Sequence, residues 1–147
     1  MKKLMLSMTV LSASIAAPTL VHADYDNCAY LSVVIANNGN EPCYLTESYL
    51  KHGSLGYYDP VPEVIYPNTY SQPFEVRQSI FGPDISLTYQ CGQGRQITIE
   101  SQQNFCLFMG GTITGMAYNN YYMGADYTKS EGSYWGRHGE ITWYLHS

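Results

Sequence analysis

Basic charge is scarce in this sequence, and so are the residue patterns that carry chemistry. The 147 residues include 7 Lys and Arg against 12 Asp and Glu, which gives a formal net charge of −5. Because a negative surface and the phosphate backbone repel each other, this balance argues against nonspecific binding of nucleic acid. The motifs G-x-S-x-G and H-E-x-x-H, a phosphate-cradling glycine loop and C-x-x-C spacing are absent. We therefore expect no enzymatic chemistry, no metal site and no cofactor.

A hydrophobic run long enough to span a bilayer is also missing. The apolar run of residues 4–17 follows two lysines and is too short to cross, which is typical of a bacterial signal peptide. Val21-His22-Ala23 supplies residues that a signal peptidase tolerates, so we predict a signal peptide over residues 1–23. The exported chain, residues 24–147, keeps 5 basic and 12 acidic residues, a net charge of about −7. Its length suits one domain, and we expect it in the periplasm or outside the cell.

Four cysteines remain in the exported chain, at Cys28, Cys43, Cys91 and Cys106. An even number of cysteines in an oxidising compartment predicts two disulfides. The sequence does not choose among the three pairings. We favour the sequential one, Cys28 with Cys43 and Cys91 with Cys106, in which each bridge closes a 15-residue separation. Such a bridge would stabilise the fold by roughly 3 kcal/mol.

Short stretches of alternating apolar and polar residues predict β-strands, and helical periodicity is nearly absent. The clearest hairpin joins residues 85–91 to residues 97–99 across Gly92-Gln93-Gly94. A second predicted hairpin joins residues 31–35 to residues 43–50. Other predicted strands are 64–66, 74–77, 106–109, 112–114 and 141–145, the last with Trp143 facing the core. This pattern predicts a single antiparallel β-sandwich stapled by two disulfides, with long aromatic loops.

Four segments share an order of strands and turns with a known family. They are VVIANNGNEPCYLTESYLKHGSLGYYDPVPEVIYPNTYSQPF (33–74), ISLTYQCG (85–92), QITIES (96–101) and GRHGEITWYL (136–145). Within the first segment, Asn37-Asn38 ends a strand. The next strand finishes in His-Gly, and its characteristic positions are Leu45, Ser48 or Tyr49, His52 and Gly53. Pro62, Ile65 and Pro67 then form Pro-x-x-Ile-x-Pro. This order resembles small aegerolysin-like bacterial toxins of the crystal-protein type.

The resemblance spans residues 33–145 and implies a two-layer β-sandwich similar in shape to actinoporins. Several members of that family recognise membrane lipids, and some are the targeting half of a two-component pore. The resemblance therefore implies a toxin-like virulence factor that binds membrane lipids and would need a protein partner to form a pore. It also implies that loops at one end of the sandwich touch the membrane.

A tyrosine-rich stretch, residues 115–139, is the main candidate for a binding surface. Its sequence is GMAYNNYYMGADYTKSEGSYWGRHG, with six large aromatic residues and five glycines. This mixture is typical of loops that carry rings to a partner, although any single ring could instead pack on the protein's own sheet. Since the strand pattern stops near Thr114 and resumes at Glu140, we expect a long connection before the last strand. Tyr57-Tyr58 provides a second aromatic loop.

Tyrosine and tryptophan suit a membrane interface because each combines an apolar ring with a polar tip. We therefore predict that these loops bind a lipid headgroup of the sphingolipid, choline or phosphoinositide type. If both loops lie at one end, their rings would surround a choline-like cation. Arg137, with Lys129 or His138, would hold a phosphate oxygen. The predicted lipid-binding residues are Tyr57, Tyr58, Tyr118, Tyr121, Tyr122, Tyr127, Tyr134, Trp135 and Arg137, with Tyr57, Tyr58, Tyr121, Tyr122 and Trp135 around the cation.

Two other classes of function fit the same aromatic residues. A carbohydrate-binding module would stack sugar rings on the tyrosines and tryptophan, with Asn119, Asn120 and Asp126 bonded to hydroxyl groups. An adhesin or inhibitor that binds protein would also use tyrosine-rich loops. Liposome and glycan binding would separate the first two classes.

Overall fold

Eleven β-strands form the regular structure of the described residues. The computed structural model describes residues 28–57, 59–107, 110–119 and 122–146, so the predicted signal peptide lies outside it. These residues include no helix, and hence none long and apolar enough to cross a membrane. The strands are β1 (Tyr30–Asn37), β2 (Cys43–His52), β3 (Ser54–Leu55), β4 (Val64–Ile65), β5 (Thr69–Tyr70), β6 (Phe74–Arg77), β7 (Asp84–Cys91), β8 (Gln96–Gln103), β9 (Ile113–Asn119), β10 (Gly124–Ser130) and β11 (Gly139–His146).

Two sheets pack face to face, which confirms the predicted all-β sandwich. The six-stranded sheet has the order β10-β11-β1-β6-β3, with β5 also paired to β1. The five-stranded sheet has the order β4-β2-β7-β8-β9. β1 and β11 pair in parallel over seven residue pairs, from Leu31 with Gly139 to Asn37 with Leu145. The other pairings are antiparallel.

The core lies between the sheets because alternation turns every second side chain inward. Ile141, Trp143 and Leu145 on β11 are buried, as predicted, and the apolar residues of β1, β7 and β8 face them. Trp143 Nε1 donates a 2.8 Å hydrogen bond to Ser101 Oγ of the opposite sheet. The one polar atom of the largest buried side chain is therefore satisfied, and it ties the two sheets together.

The predicted hairpin of β7 and β8 is confirmed, but the predicted hairpin of β1 and β2 is wrong. β1 lies in the six-stranded sheet and β2 in the five-stranded sheet. The Asn37 side chain fixes this change of sheet, because its Nδ2 donates to Glu41 O at 2.7 Å and to Ile65 O at 3.0 Å. Its Oδ1 accepts from Gly39 N at 2.9 Å. These bonds direct the chain across the core instead of back along β1.

The sequential disulfide pairing is also wrong, because the bridges are Cys28–Cys106 and Cys43–Cys91. β2 lies beside β7 in a register that sets Cys43 opposite Cys91. Cys28 approaches Cys106 because Gln103 Nε2, at the end of β8, donates to Cys28 O at 2.7 Å. Sheet neighbours therefore decide the pairing, and separation along the chain does not.

The tyrosine-rich stretch is mostly strand, so its prediction as a long connection is wrong. It contains most of β9 and all of β10, which leaves residues 131–138 as the connection to β11. Gly115 is required here by packing: a Cβ at this position would lie 2.8 Å from the Tyr127 ring and 2.9 Å from Trp143. The predicted strand 106–109 is not seen at Cys106 and Leu107, while residues 108–109 lie outside the described residues.

Removing the Cys43–Cys91 bridge should destabilise the protein without changing its fold. The two cysteines are 48 residues apart, and closing a loop of that length in the unfolded chain corresponds to about 4 kcal/mol. We expect the Cys43→Ala/Cys91→Ala variant to lose about this much free energy of unfolding in urea titrations. Native-like circular dichroism is the control for the fold. An unchanged midpoint would contradict the assigned pairing.

Candidate functional site

The two ends of the sandwich differ in composition. β1, β7, β9 and β11 begin at one end, where β2, β6, β8 and β10 finish. The connections there are residues 78–83, 104–112 and 131–138, and we call this the apolar end. The opposite end, which we call the far end, carries residues 38–42, 66–73 and 92–95.

Six large apolar or aromatic side chains are exposed among the described residues of the three connections at the apolar end. Their exposed fractions run from 37% for Tyr134 to 84% for Trp135. Side chains of this size grouped on neighbouring loops mark a surface that meets a partner, whereas single exposed ones carry no such meaning. The six are Ile80, Phe81, Phe105, Leu107, Tyr134 and Trp135.

The first two connections are bound to each other by hydrogen bonds between the Gln78 side chain and the Cys106 backbone. Gln78 Nε2 donates to Cys106 O at 3.3 Å, and Cys106 N donates back to Gln78 Oε1 at 2.9 Å. Gly82 lies so close to the backbone of Gln103 and Phe105 that a Cβ at this position would overlap it. The loop that carries Ile80 and Phe81 is therefore held against the loop that carries Phe105 and Leu107.

The third connection joins this pair through glycines. Gly111 forms a β-bridge with Gly132, and a Cβ on Gly110, whose φ is +80°, would lie 2.6 Å from Gly132 O. The Cys28–Cys106 disulfide ties the same region to the start of β1. The three connections thus form one preorganised surface, which lowers the ordering entropy that a partner would otherwise have to offset.

A tight turn presents the aromatic pair of the third connection. Ser133 N donates to Arg137 O at 2.7 Å and closes the turn, and the Tyr134 and Trp135 rings meet edge to face at 4.7 Å. The exposed Arg137 donates from Nη2 to Glu131 O at 3.1 Å. A guanidinium has five N–H donors, so capacity remains for an anionic group beside the exposed indole.

The predicted lipid-binding residues do not form one site. Tyr134, Trp135 and Arg137 lie at the apolar end, whereas Tyr122 lies at the far end beside the start of β10. The seven residues of β10 separate Tyr122 from the 131–138 connection, a distance of roughly 23 Å. The expected ring of aromatic residues around one choline-like cation is therefore not assembled by its described members. Tyr58 and Tyr121 lie outside the described residues.

The remaining predicted tyrosines lie on strands or at a sheet edge. The Tyr127 ring packs against Trp143 with 5.0 Å between centroids, while 37% of the residue stays exposed. Tyr118 is exposed on the outer face of the five-stranded sheet, where its hydroxyl lies 3.7 Å from Met116 Sδ. Tyr57 is exposed and lies beside β6, because the preceding Gly56 N donates to Glu75 O of that strand at 3.0 Å.

The cations predicted to assist Arg137 are engaged elsewhere. Lys129 Nζ donates to Ile113 O at 2.7 Å and to Glu131 Oε1 at 3.1 Å. His138 stacks on Tyr30 at 4.7 Å between centroids, and its Nε2 lies 3.1 Å from Glu140 Oε1. Arg137 is thus the predicted phosphate ligand that shares a turn with the exposed Trp135.

Sequence reasoning missed four of the six exposed side chains. Ile80 and Phe81 form an apolar pair in Ser-Ile-Phe-Gly-Pro, where strand alternation has stopped. Two adjacent apolar residues inside a turn-rich segment could have indicated exposed loop side chains. Leu107 was missed because a strand was expected at 106–109, and Phe105 directly precedes that segment.

Comparisons with known proteins identify the fold. No family model matches the chain, and no curated protein does. The solved structure of the lipid-binding protein Nakanori matches with a TM-score of 0.67 at 9% identity, over 85% of this chain and 74% of Nakanori. RahU, solved in complex with a Tris molecule, matches with a TM-score of 0.54 at 11% identity, over 79% and 93%. IP-1A from Alcaligenes faecalis matches with a TM-score of 0.52 at 12% identity, over 84% and 95%. At these identities the likeness concerns the fold alone.

A buried polar cluster on the outer face of the five-stranded sheet was a second candidate site. Lys51 Nζ lies 2.6 Å from Glu100 Oε1, and the Glu100 carboxylate is almost fully buried. The neighbouring Asp84 is also buried, and its Oδ1 has no hydrogen-bond partner among the described residues. Within the same part of the chain, no group of three His, Cys, Asp or Glu is placed to hold a metal ion. An ion pair across the sheet accounts for this cluster.

Replacing Asp84 by Asn should stabilise the protein at neutral pH. Burial raises the pKa of Asp84 above its ordinary value, although the Lys51 ammonium opposes the shift. The folded state therefore holds the proton more tightly than the unfolded state, and ionisation of Asp84 destabilises the fold as pH rises through the raised pKa. We expect Asp84→Asn to be more stable than wild type at about pH 7, and this advantage to disappear at about pH 3.

Urea titrations of both proteins at the two pH values measure this difference. Glu100→Gln is the control, because it breaks the ion pair with Lys51 and should lower stability at neutral pH. A neutral-pH loss of stability in Asp84→Asn would show that the ionised carboxylate is favourable where it lies.

Proposed function

We propose that this is an exported, non-enzymatic protein that binds lipid membranes through its apolar end. One observation carries the proposal: six large apolar or aromatic side chains stand exposed on three connections that are bound to one another. Transferring a large apolar side chain from water to an apolar medium contributes roughly 1.5–3 kcal/mol. Several such side chains acting together are enough for stable attachment.

The arrangement of side chains supports shallow insertion. The Trp135 indole and the Tyr134 phenol suit the headgroup zone, where an amphipathic ring keeps its polar tip hydrated. Ile80, Phe81 and Leu107 lack a polar tip and would reach past the headgroups. The backbone groups of the loops would be costly to bury in hydrocarbon, so the strands stay outside the bilayer. The hydrogen bonds between Gln78 and Cys106 lower this cost for one loop.

Arg137 is placed to select the headgroup. Its guanidinium lies on the same turn as Trp135 and can donate to a phosphate oxygen. We propose a phosphate-bearing headgroup, the chemistry that sphingomyelin, choline phospholipids and phosphoinositides share. The net charge, −5 for the full sequence and about −7 for the predicted exported chain, opposes attraction to an anionic surface. Attachment therefore depends mainly on apolar contact and should vary little with salt.

Two further facts support export and a membrane partner. Two disulfides are typical of a protein that folds in an oxidising compartment outside the cytoplasm. Nakanori, which shares the fold, is described as a lipid-binding protein. The resemblance to aegerolysin-like toxins extends the proposal to a toxin-like role with a protein partner in pore formation. Release of a dye trapped in vesicles, with and without candidate partners, tests that extension.

Shortening three side chains of the apolar end should abolish membrane binding. We expect the Phe81→Ala/Leu107→Ala/Trp135→Ala variant to lose on the order of 1000-fold in vesicle affinity, since each side chain contributes at least about 1.5 kcal/mol. All three side chains are exposed, so the melting temperature should stay near that of wild type. Sedimentation with vesicles of phosphatidylcholine and sphingomyelin, and with a phosphoinositide series, measures the affinity.

Tyr122→Ala is the matched control because it removes an exposed aromatic ring at the far end. This control should bind vesicles as wild type does. Failure of the wild-type protein to sediment with every composition would refute the proposed function. Unfolding of the triple variant would show instead that the side chains belong to the core.

Tryptophan fluorescence should report the insertion directly. The chain has 2 tryptophans, of which Trp143 is fully buried and Trp135 exposed. Adding vesicles should therefore shift the emission of Trp135 to shorter wavelength and leave that of Trp143 unchanged. Trp135→Phe should remove the shift while the protein still sediments. A shift that persists in Trp135→Phe would assign the change to a rearranged core.

A further inference from the structure

A groove at the far end is the feature that the membrane proposal does not use. It encloses about 520 Å³, within the usual size of small-molecule sites. Its rim and floor come from the chain between β3 and β6, which crosses from one sheet to the other. The lining residues are 59–60, 62, 64–66 and 69–73.

The walls of the groove are fixed before any ligand arrives. Tyr89 Oη, from the core side of β7, donates to Pro62 O at 2.8 Å. Ser71 N donates to Ile35 O at 2.8 Å, and Ser71 Oγ accepts from Ile35 N at 3.0 Å. Three prolines in the lining restrict the backbone further. A ligand would therefore lose little affinity to ordering of the site.

The charges of the lining exclude anionic ligands. Among the described residues that line the groove, Asp59 is charged and none is Lys, Arg or His. A phosphate, sulfate or carboxylate would meet a negative charge with no cation to balance it. The ligand of this groove is therefore neutral or cationic, unlike the phosphate-bearing headgroup proposed for the apolar end.

The exposed surface of the groove suits a sugar. Tyr66 and Tyr70 are each 64% exposed, so their rings leave broad faces open for the C–H face of a pyranose. Thr69 Oγ1 donates to Tyr66 O at 2.8 Å and can still accept a hydrogen bond, Gln72 adds an amide, and Asp59 adds acceptors for sugar hydroxyls. We propose that this groove binds a neutral carbohydrate.

A quaternary ammonium ion fits the groove less well than a sugar does. An aromatic cage surrounds such a cation with several rings, whereas Tyr66 and Tyr70 are the two aromatic residues among the described residues that line this groove. A quaternary ammonium also makes no conventional hydrogen bonds, so the amide and hydroxyl groups of the lining would lose water without gaining a partner. A sugar hydroxyl both donates and accepts, and it satisfies these groups.

The position of the groove indicates the source of the sugar. The groove adjoins β5 and the C-terminal end of β1, and the eight residues of β1 separate that end from the apolar end, a distance of roughly 26 Å. A protein attached by its apolar end would hold the groove away from the bilayer. The carbohydrate therefore comes from a soluble or wall polysaccharide or a glycoprotein, and not from a lipid of the same membrane.

A panel of free oligosaccharides tests the proposal. Isothermal titration with lactose, chitotriose and mannotriose, followed by an array of larger neutral glycans, should find a ligand. The sialylated counterpart of any ligand that is found should bind at least tenfold more weakly. Tyr66→Ala and Tyr70→Ala should each reduce affinity at least tenfold, because each removes a stacking face. Tyr49→Ala, an exposed tyrosine on the outer face of the five-stranded sheet, is the control and should bind as wild type does.

Three results would overturn the proposal. These are absence of binding across the neutral array, equal loss in Tyr49→Ala and Tyr66→Ala, and binding of tetramethylammonium with no neutral glycan bound. Sugar binding by the Phe81→Ala/Leu107→Ala/Trp135→Ala variant should equal that of wild type, so failure here is distinguishable from failure of the membrane proposal. Vesicles that carry a neutral glycolipid with the bound sugar separate the sources: wild-type protein should bind them no more tightly than vesicles without the glycolipid, and a gain in affinity would show that a lipid-borne sugar is the ligand.

Discussion

The parallel pairing of β1 with β11 is the constraint on which the structure depends. It joins the first and last strands over seven residue pairs and places Val33 beside Ile141 and Ile35 beside Trp143. Because parallel strands start at the same end, it also brings Cys28 and residues 131–138 together. The disulfide to Cys106 then adds the 104–112 connection to that end. An exposed apolar surface assembled from three distant segments is thus a consequence of one strand pairing.

The sequence predicts the fold class because alternation is a local property. Period-two patterns identify the inward faces of β1, β7, β8 and β11, and with them Trp143 and most of the core. Pairing is not local, so the β1–β2 hairpin and the sequential disulfides were wrong. Two apolar strands joined by a turn-rich segment normally form a hairpin. The side chain of Asn37, which bridges Glu41 and Ile65, overrides that preference, and nothing in the alternation signals it.

The proposed binding surface was harder to predict than the fold, because the composition of a segment does not show whether its glycines and tyrosines form a strand or a loop. Glycine and tyrosine together suggested a loop, yet Gly115 is present because the Tyr127 ring lies over its Cα. Residues 134–137 were predicted as part of the surface, and they do lie on an exposed turn. Ile80 and Phe81 were missed because residues in a loop have no periodicity to reveal which way they face. Only the fold shows that their loop lies beside Cys106.

The net negative charge of the protein agrees with an apolar surface at one end and a groove without basic residues among its described lining at the other. A protein with net charge −5 gains little from electrostatic attraction to most membranes, so the membrane attachment proposed for it depends on apolar contact. That contact needs exposed side chains, which are an aggregation risk in water unless they are few and rigidly placed. Confining them to three tied loops at one end leaves the far end free for a polar ligand. The described residues that line the groove include an acidic one and no basic one, so the proposed sugar would not compete with anionic lipids for it.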